Sequence, residues 1–406
     1  MRRGIVLAWI LGVCVFVGSG RARCATQETQ EGGVKPPLQE PAAKDAVGAS
    51  RAARTDVVGV AQAATEPKKA EPKNAADWMG DISPPTKPKD ATPEMKELVG
   101  LYRNGEKQII LLETRQILNM ETWSDAAHPA SPRPRFTLKS QPDGNWKAMF
   151  SAEYGIDVAV ERSVGGRVVA LNWSNGMGRY VRADAGADPK SFYRVTPVKP
   201  LEELRAEAKA AKPPAEKGPF RKPELVELTK IDPEFHLDIG YATSNNFLST
   251  PVYSQARAFM QRPAAEALVR AAQKLKPMGY GLLIHDAYRP WYVTKIFWDA
   301  TPAEGHIFVA DPQKGSKHNR GCAVDLTMYD LSSGAAVEMP GLYDEMSERS
   351  FPDFPGGTWR QRWQRDLLRK AMESEGFTVD AHEWWHFDYK DWTRYPILNV
   401  GFEEVR

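Results

Sequence analysis

Between Gln27 and about Ala91 the chain is built of Ala, Pro, Lys, Glu and Thr with few aromatic residues. Such a segment cannot bury enough apolar area to offset the entropy of ordering it, so folded structure is confined to the residues C-terminal to it. A second break, the Pro- and Lys-rich run from Lys212 to Lys222, divides the remainder into two parts of different texture. The sequence therefore predicts an export segment over residues 1–25 and a disordered tether over 26–91. Next come a small all-β domain over 92–200, a helical and Pro/Lys linker over 201–222 and a last domain over 223–406. With 406 residues and a net charge of +2, the chain has room for two domains and no charge excess that argues for nucleic acid. Lys68, Lys69 and Lys73 in the tether are a candidate binding arm on charge alone, and a solvated linker is the simpler reading.

At the N-terminus Arg2 and Arg3 precede an apolar run from Ile5 to Val17 and then Gly18, Ser19 and Gly20, the pattern of a secretory signal. The run is short for a bilayer span. Arg21 and Arg23 beside Cys24 argue against a lipoprotein signal, and cleavage after Gly20 or Cys24 is expected. The chain is thus predicted to be exported, periplasmic or extracellular, with an uncleaved anchor as the alternative. Of Cys14, Cys24 and Cys322 only the last falls in a folded region, so no internal disulfide framework forms. Cys322, in an apolar strand near Val324, reads as a small buried filler rather than a ligand.

From Thr92 to Val198 short apolar runs are cut by Gly, Asn, Asp and Pro. Gln108–Glu113, Trp146–Phe150, Asp157–Arg162, Arg167–Trp173 and Arg179–Arg182 are predicted strands, with turns at Asp143-Gly144-Asn145 and Gly165-Gly166. That spacing implies an antiparallel barrel or sandwich. Trp123, Trp146 and Trp173 read as core or interface aromatics, with a ligand cleft as the alternative.

The last part alternates strands and helices and is long enough to bury roughly 70% of its unfolded surface, so it should fold alone. Leu225–Ile231 and Tyr280–His285 are predicted strands. Pro263–Lys276 is a predicted helix with Ala264, Leu268, Ala271 and Leu275 on one face. Thr358–Glu375 is another, with a stripe of Trp359, Trp363, Leu367 and Ala371 ending at Gly376.

Two stretches here carry chemistry, SKHNRGCAVDLTMYD from Ser316 and HEWWHF from His382. His318, Asp325 and His386 form a mixed nitrogen and oxygen set that suits one zinc ion and leaves a fourth tetrahedral position for water. Glu383, three residues before His386, supplies the carboxylate that hydrolysis needs to take and return protons. Single histidines and acids are usually structural, but four of the seven histidines lie between His306 and His386, and the combined spacing is much rarer than its letters. Alternation along Gly321–Asp330 turns Cys322, Val324, Leu326 and Met328 to one face and Asp325 to the other. Glu383 and His386 would oppose each other on a regular strand, so the run is predicted to start in a turn and enter its strand near Trp385.

This combination resembles the D-alanyl-D-alanine dipeptidases of the VanX type, within the wider group of zinc D,D-peptidases, over Leu225 to Gly401. LDIGYATSNNF from Leu237, DAYRP from Asp286 and MPGLYDEMSERS from Met339 extend the resemblance beyond the metal set. It implies an α+β peptidase domain with a central antiparallel sheet and flanking helices. It further implies that Arg289 stabilises the carbonyl oxygen as it becomes an oxyanion, and that Ser316 and Asp344 contact substrate. Pairing of Arg289 with Asp286 in a purely structural role is the rival reading. His285, His306 and His382 read as structural or supporting. Separately, ELVGLY, ILLETRQIL, GGRVVALNW and YVR resemble the small lipocalin-like β domain attached to many bacterial hydrolases and peptidases. The expected activity is zinc-dependent hydrolysis of D-alanyl-D-alanine. A D,D-carboxypeptidase or endopeptidase acting on longer stem peptides is the alternative, and a non-catalytic peptidoglycan-binding protein a further one.

Overall fold

The computed structural model describes Met79, Ile82 and residues 85–123, 135–183 and 194–405. The expected export segment and most of the expected tether lie outside the described residues. Among those residues no helix is long and apolar enough to cross a membrane.

A short helix, α1 (Pro93–Leu98), starts at Thr92, whose hydroxyl accepts from the Met95 backbone N–H at 3.4 Å. Eight strands come next, β1 (Gly100–Asn104), β2 (Lys107–Thr114), β3 (Ile117–Trp123), β4 (Arg135–Ser140), β5 (Trp146–Met149), β6 (Gly155–Arg162), β7 (Val168–Trp173) and β8 (Gly178–Arg182). Each pairs antiparallel with the next, and β1 pairs with β8 to close a barrel. Closure removes the exposed edges that a sheet of short strands would otherwise present. Tyr102, Leu111, Leu118, Val158 and Leu171 fill the interior with Trp146 and Trp173, so these two tryptophans are core. Strands β1, β3 and β4 escaped prediction. The β2–β3 turn explains part of this, because it bends at Arg115 (φ 54°) and Gln116 (φ 65°) without a glycine to mark it.

In the C-terminal part, α2 (Leu201–Ala210) precedes β9 (Leu225–Glu227), β10 (His236–Leu237), β11 (Phe259–Gln261), α3 (Arg262–Leu275) and β12 (Tyr280–Asp286). Then come α4 (Trp291–Ala300), β13 (Ala323–Asp330), α5 (Trp359–Glu373), β14 (Phe377–Val379) and β15 (His386–Tyr389). Five strands form a sheet in the order β10-β12-β13-β15-β14. The sheet is antiparallel except at its β10 edge, where β10 runs parallel to β12. Fold and class are thus mixed α and β, as expected. The predicted strand Leu225–Ile231 is only Leu225–Glu227, since the chain turns helical at Leu228 and buries that side chain.

The predicted face of α3 is fully buried at Ala264, Leu268, Ala271 and Leu275. Helix α5 starts with a capping box between Thr358 and Gln361, and Trp363, Leu367 and Ala371 enter the core with Leu368 and Met372. Trp359 is the exception, lying beneath the Arg115 guanidinium of the barrel. The stretch expected to be a linker is packed rather than loose. Leu204 and Ala208 belong to the C-terminal core, and Glu216 pairs with the buried Arg320 at 2.5 Å while accepting from the Ile397 N–H at 2.6 Å.

The barrel docks through β2. Leu112 bridges to Gly357, and the buried Glu113 carboxylate accepts from the Trp359 N–H at 2.9 Å, supplying a partner to a helix N-terminus. Arg362 donates to the Glu113 carbonyl and the Thr114 hydroxyl, both at 2.9 Å. Burial and the neighbouring Arg365 pull this guanidinium down to about 10.

Candidate metal centre and catalytic cleft

Sheet register builds the centre. Asp325 on β13 stands opposite His386 on β15 and opposite Asp286 on β12, so three polar side chains form one row across the sheet. His318 joins them from the helical turn just before β13. That turn ends at Gly321 with φ 67°, where a Cβ would come within 2.5 Å of Leu225 Cδ2. Only glycine fits both demands.

His318 Nε2 and His386 Nδ1 lie 3.1 Å apart, and Asp325 Oδ1 lies 3.3 Å and 3.0 Å from them. The opposite ring nitrogens are engaged, His318 Nδ1 with the Ala287 carbonyl at 2.6 Å and His386 Nε2 with Asp388 Oδ1 at 2.9 Å. If those nitrogens carry the protons, the inward ones present lone pairs. Ligands at about 2.1 Å around a tetrahedral ion sit roughly 3.4 Å apart, close to these separations. At such distances the three inward atoms need positive charge among them, which a proton on His386 or a metal ion supplies. The residues fit a single divalent ion.

The second Asp325 oxygen accepts from Tyr343 at 3.4 Å and faces Arg289 Nη2 at 3.7 Å. Despite complete burial, the two imidazoles hold the Asp325 carboxyl far below the ordinary carboxylate range. Burial works against a charged His386, yet Asp388 and Asp325 raise its pKa well above the ordinary value. Asp388 is itself held by Lys317 at 2.8 Å.

Arg289, Ser316, His318, Asp325, Asp344, Glu383 and His386 line one cleft. Glu383 lies in the predicted turn, closed by the His386 N–H donating to the Glu383 carbonyl at 3.2 Å, and the strand begins at His386. Its Oε2 is 3.7 Å from His386 Nδ1. Burial, opposed by His386 and reinforced by Asp325, holds its carboxyl well above the ordinary range. Arg289 both pairs with Asp286, at 2.9 Å from Nε and 2.8 Å from Nη2, and faces the cleft, so the two readings of this residue are compatible. Asp286 also accepts from Tyr253 at 2.7 Å. The Ser316 hydroxyl accepts from the His318 N–H at 3.2 Å. Asp344 accepts from Tyr241 at 2.8 Å through Oδ1, whereas its buried Oδ2 has no hydrogen-bond partner. Burial pushes this carboxyl up to about 8, against the Tyr241 bond.

His285 stacks on Tyr343 and His306 on Trp298, both outside the metal set. His382 lies against Phe351. Cys322 is buried in the core, and burial pushes its thiol up to about 12, as befits a filler. Sequence reasoning missed Asp388 and Tyr241 as partners of the site. Asp388 was legible in principle, since a residue two beyond His386 on one strand shares its face.

Two imidazoles and one carboxylate open to a cleft with a further carboxylate and a guanidinium are the equipment of a metallopeptidase. The chain belongs to the D-alanyl-D-alanine dipeptidase family, whose model, described as D-ala-D-ala dipeptidase, matches residues 221–402. It is 35% identical over 179 residues to the D-alanyl-D-alanine dipeptidase of Escherichia coli K12, covering 44% of this chain and 91% of that protein. The enzyme of the same name from Enterococcus faecium is 36% identical over 172 residues, covering 38% and 85%. That from Streptomyces coelicolor is 33% identical over 172 residues, covering 38% and 85%. The barrel lies outside the family match.

Proposed function

We propose that the chain is an exported zinc dipeptidase that hydrolyses D-alanyl-D-alanine to two D-alanines. The observation that carries this reading is the convergence of His318 Nε2, His386 Nδ1 and Asp325 Oδ1 on one point beside Glu383 and Arg289. His318, Asp325 and His386 would hold the ion, one per chain, and zinc there supplies Lewis acidity that lowers the pKa of water to about 7. Glu383 takes a proton from the attacking water and returns it to the leaving amine, as its place in the cleft beside His386 and Asp325 allows. Arg289, fixed by Asp286, directs a permanent positive charge at the oxygen that becomes negative. Ser316 and Asp344 contact the substrate, Asp344 through its unpartnered oxygen.

The test is release of D-alanine from D-Ala-D-Ala and from a stem pentapeptide, before and after exhaustive chelation and after zinc is restored. We expect dipeptide cleavage that chelation abolishes and zinc restores. Preference for the pentapeptide would replace this reading with a D,D-carboxypeptidase, and activity that survives chelation would remove the metal from it. A chain that cleaves neither would be a binding protein. Export is tested by locating the processed protein in cell fractions, and cell-wall association by sedimentation with purified wall.

A further inference from the structure

We propose that the barrel is a positioning domain for the cleft wall that carries Asp344, so that Ile110, Leu112 and Arg103, far from the metal ligands, set how well the enzyme discriminates a free dipeptide. The proposal rests on the dipeptidase reading above for its substrate and on packing for its mechanism.

The wall is the segment from Gly341 to Phe354. Asp344 sits in it at φ 60°, a left-handed conformation that aspartate tolerates better than most residues but that a freed loop leaves readily. The inner side of the segment is tied down by the next residue. Buried Glu345 accepts from the Leu342 N–H at 2.8 Å and the Ser347 hydroxyl at 2.6 Å, and its carbonyl accepts from Ser350. The Ser350 carbonyl in turn accepts from the Trp384 N–H at 2.7 Å, joining the wall to the turn that holds Glu383.

The outer side of the same segment rests on the barrel. Along β2, Ile109 and Leu111 point into the barrel, while Ile110 and Leu112 point out and pack with Leu101 against Phe354. Both faces of a barrel strand are therefore buried, one by its own core and one by the wall. Phe351 joins that apolar cluster and also meets His382, the neighbour of Glu383. Arg103 on β1 pairs with Glu348 in the wall at 2.8 Å. The wall is thus clamped between barrel and sheet, and loosening the barrel side frees Asp344 to leave its left-handed conformation. A loosened wall loses the aim of its carboxylate at the substrate ammonium before it loses the metal, whose ligands Asp325 and His386 are set by the register of β13 and β15 and whose His318 is tied to the Ala287 carbonyl.

The test compares the full chain with Ile110→Ala, Leu112→Ala and Arg103→Ala. Readouts are metal content, amide hydrogen exchange, and the ratio of kcat/KM for D-Ala-D-Ala to that for its N-acetylated analogue. We expect unchanged metal content, faster exchange across 341–354, unchanged exchange in β12 and β13, and a ratio lowered about 5-fold or more by Ile110→Ala. The shift for Arg103→Ala should be smaller and in the same direction. Folded variants that keep wild-type exchange in 341–354 and a wild-type ratio overturn the proposal, as does an equal loss on both substrates. Should the apolar variants fail to fold, Arg103→Ala, whose side chain is 42% exposed, decides by the same readouts. If the wild-type chain does not cleave the dipeptide at all, the hydrolytic reading fails while hydrogen exchange alone still decides the clamp.

Discussion

Asp344→Asn isolates a charge with little change of shape. Asparagine tolerates the left-handed backbone of this position and keeps an acceptor for the Tyr241 hydroxyl, so the wall should retain its conformation. The free Oδ2 is buried and has no hydrogen-bond partner, so a substrate cation that reaches it both pairs with it and favours its ionised form. A substrate ammonium about 4 Å away, at an effective dielectric constant near 20, would gain about 4 kcal/mol. Deprotonating a carboxyl that burial has pushed up to about 8 and desolvating the ammonium offset part of this near neutral pH, leaving about 2 kcal/mol, or roughly 30-fold in kcat/KM. An N-acetylated substrate has no such charge and should lose less than about 3-fold. Steady-state kinetics on both substrates, with metal content checked, measures the difference. Equal losses on the two would refute the ammonium role, and a wild-type enzyme that cleaves the acetylated analogue equally well would refute it before any variant is made.

Glu383→Gln should retain metal and lower turnover roughly 100- to 10,000-fold, the span of a proton-transfer residue; metal loss measured by atomic absorption would make Glu383 a ligand instead. Asp388→Ala removes the partner of His386 Nε2 at 2.9 Å and should weaken metal affinity about 10- to 100-fold in a competitive chelator titration, with an unchanged affinity counting against its orienting role. A chain beginning at Pro223 loses Leu204, Ala208 and Glu216 and leaves buried Arg320 without its carboxylate, a change worth about 3–5 kcal/mol. It should melt well below a chain beginning at Arg194, and equal melting would show that α2 and the stretch after it add nothing to the core.

The metal set was legible because its spacing is unusual and because strand alternation alone turns Asp325 away from Val324 and Leu326. The turn at Glu383 was legible for a geometric reason, since two residues three apart cannot share a strand face. The role of β2 was not. Its run of Ile109, Ile110, Leu111 and Leu112 says that both faces are covered, but nothing local says that the second cover is Phe354, which lies far along the chain. Helix α4 was missed for a related reason. Trp291, Val293, Ile296 and Phe297 are all buried, so the apolar stripe spreads around the helix and its period fades. The packed stretch around Glu216 resembles a linker in composition because Pro and Lys usually mark one. Its single acid finds Arg320 only through tertiary structure.

Register is what turns two remote motifs into one centre, and apolar packing sets that register. In the observed pairing Val324 faces Phe387 across β13 and β15, and both are fully buried beside Leu326 and Met328. Slipping β15 by one residue would set Phe387 opposite Asp325 and turn its ring toward the cleft, giving up about 1.5–3 kcal/mol of burial for that side chain alone. The same slip would carry the imidazole of His386 into the core together with the Asp388 carboxylate on the same strand face, away from His318. Residues that never meet the metal therefore select the alignment in which His318, Asp325 and His386 converge. Bringing two imidazoles and a carboxylate out of water has a local desolvation cost, which the larger apolar contacts of the sheet offset.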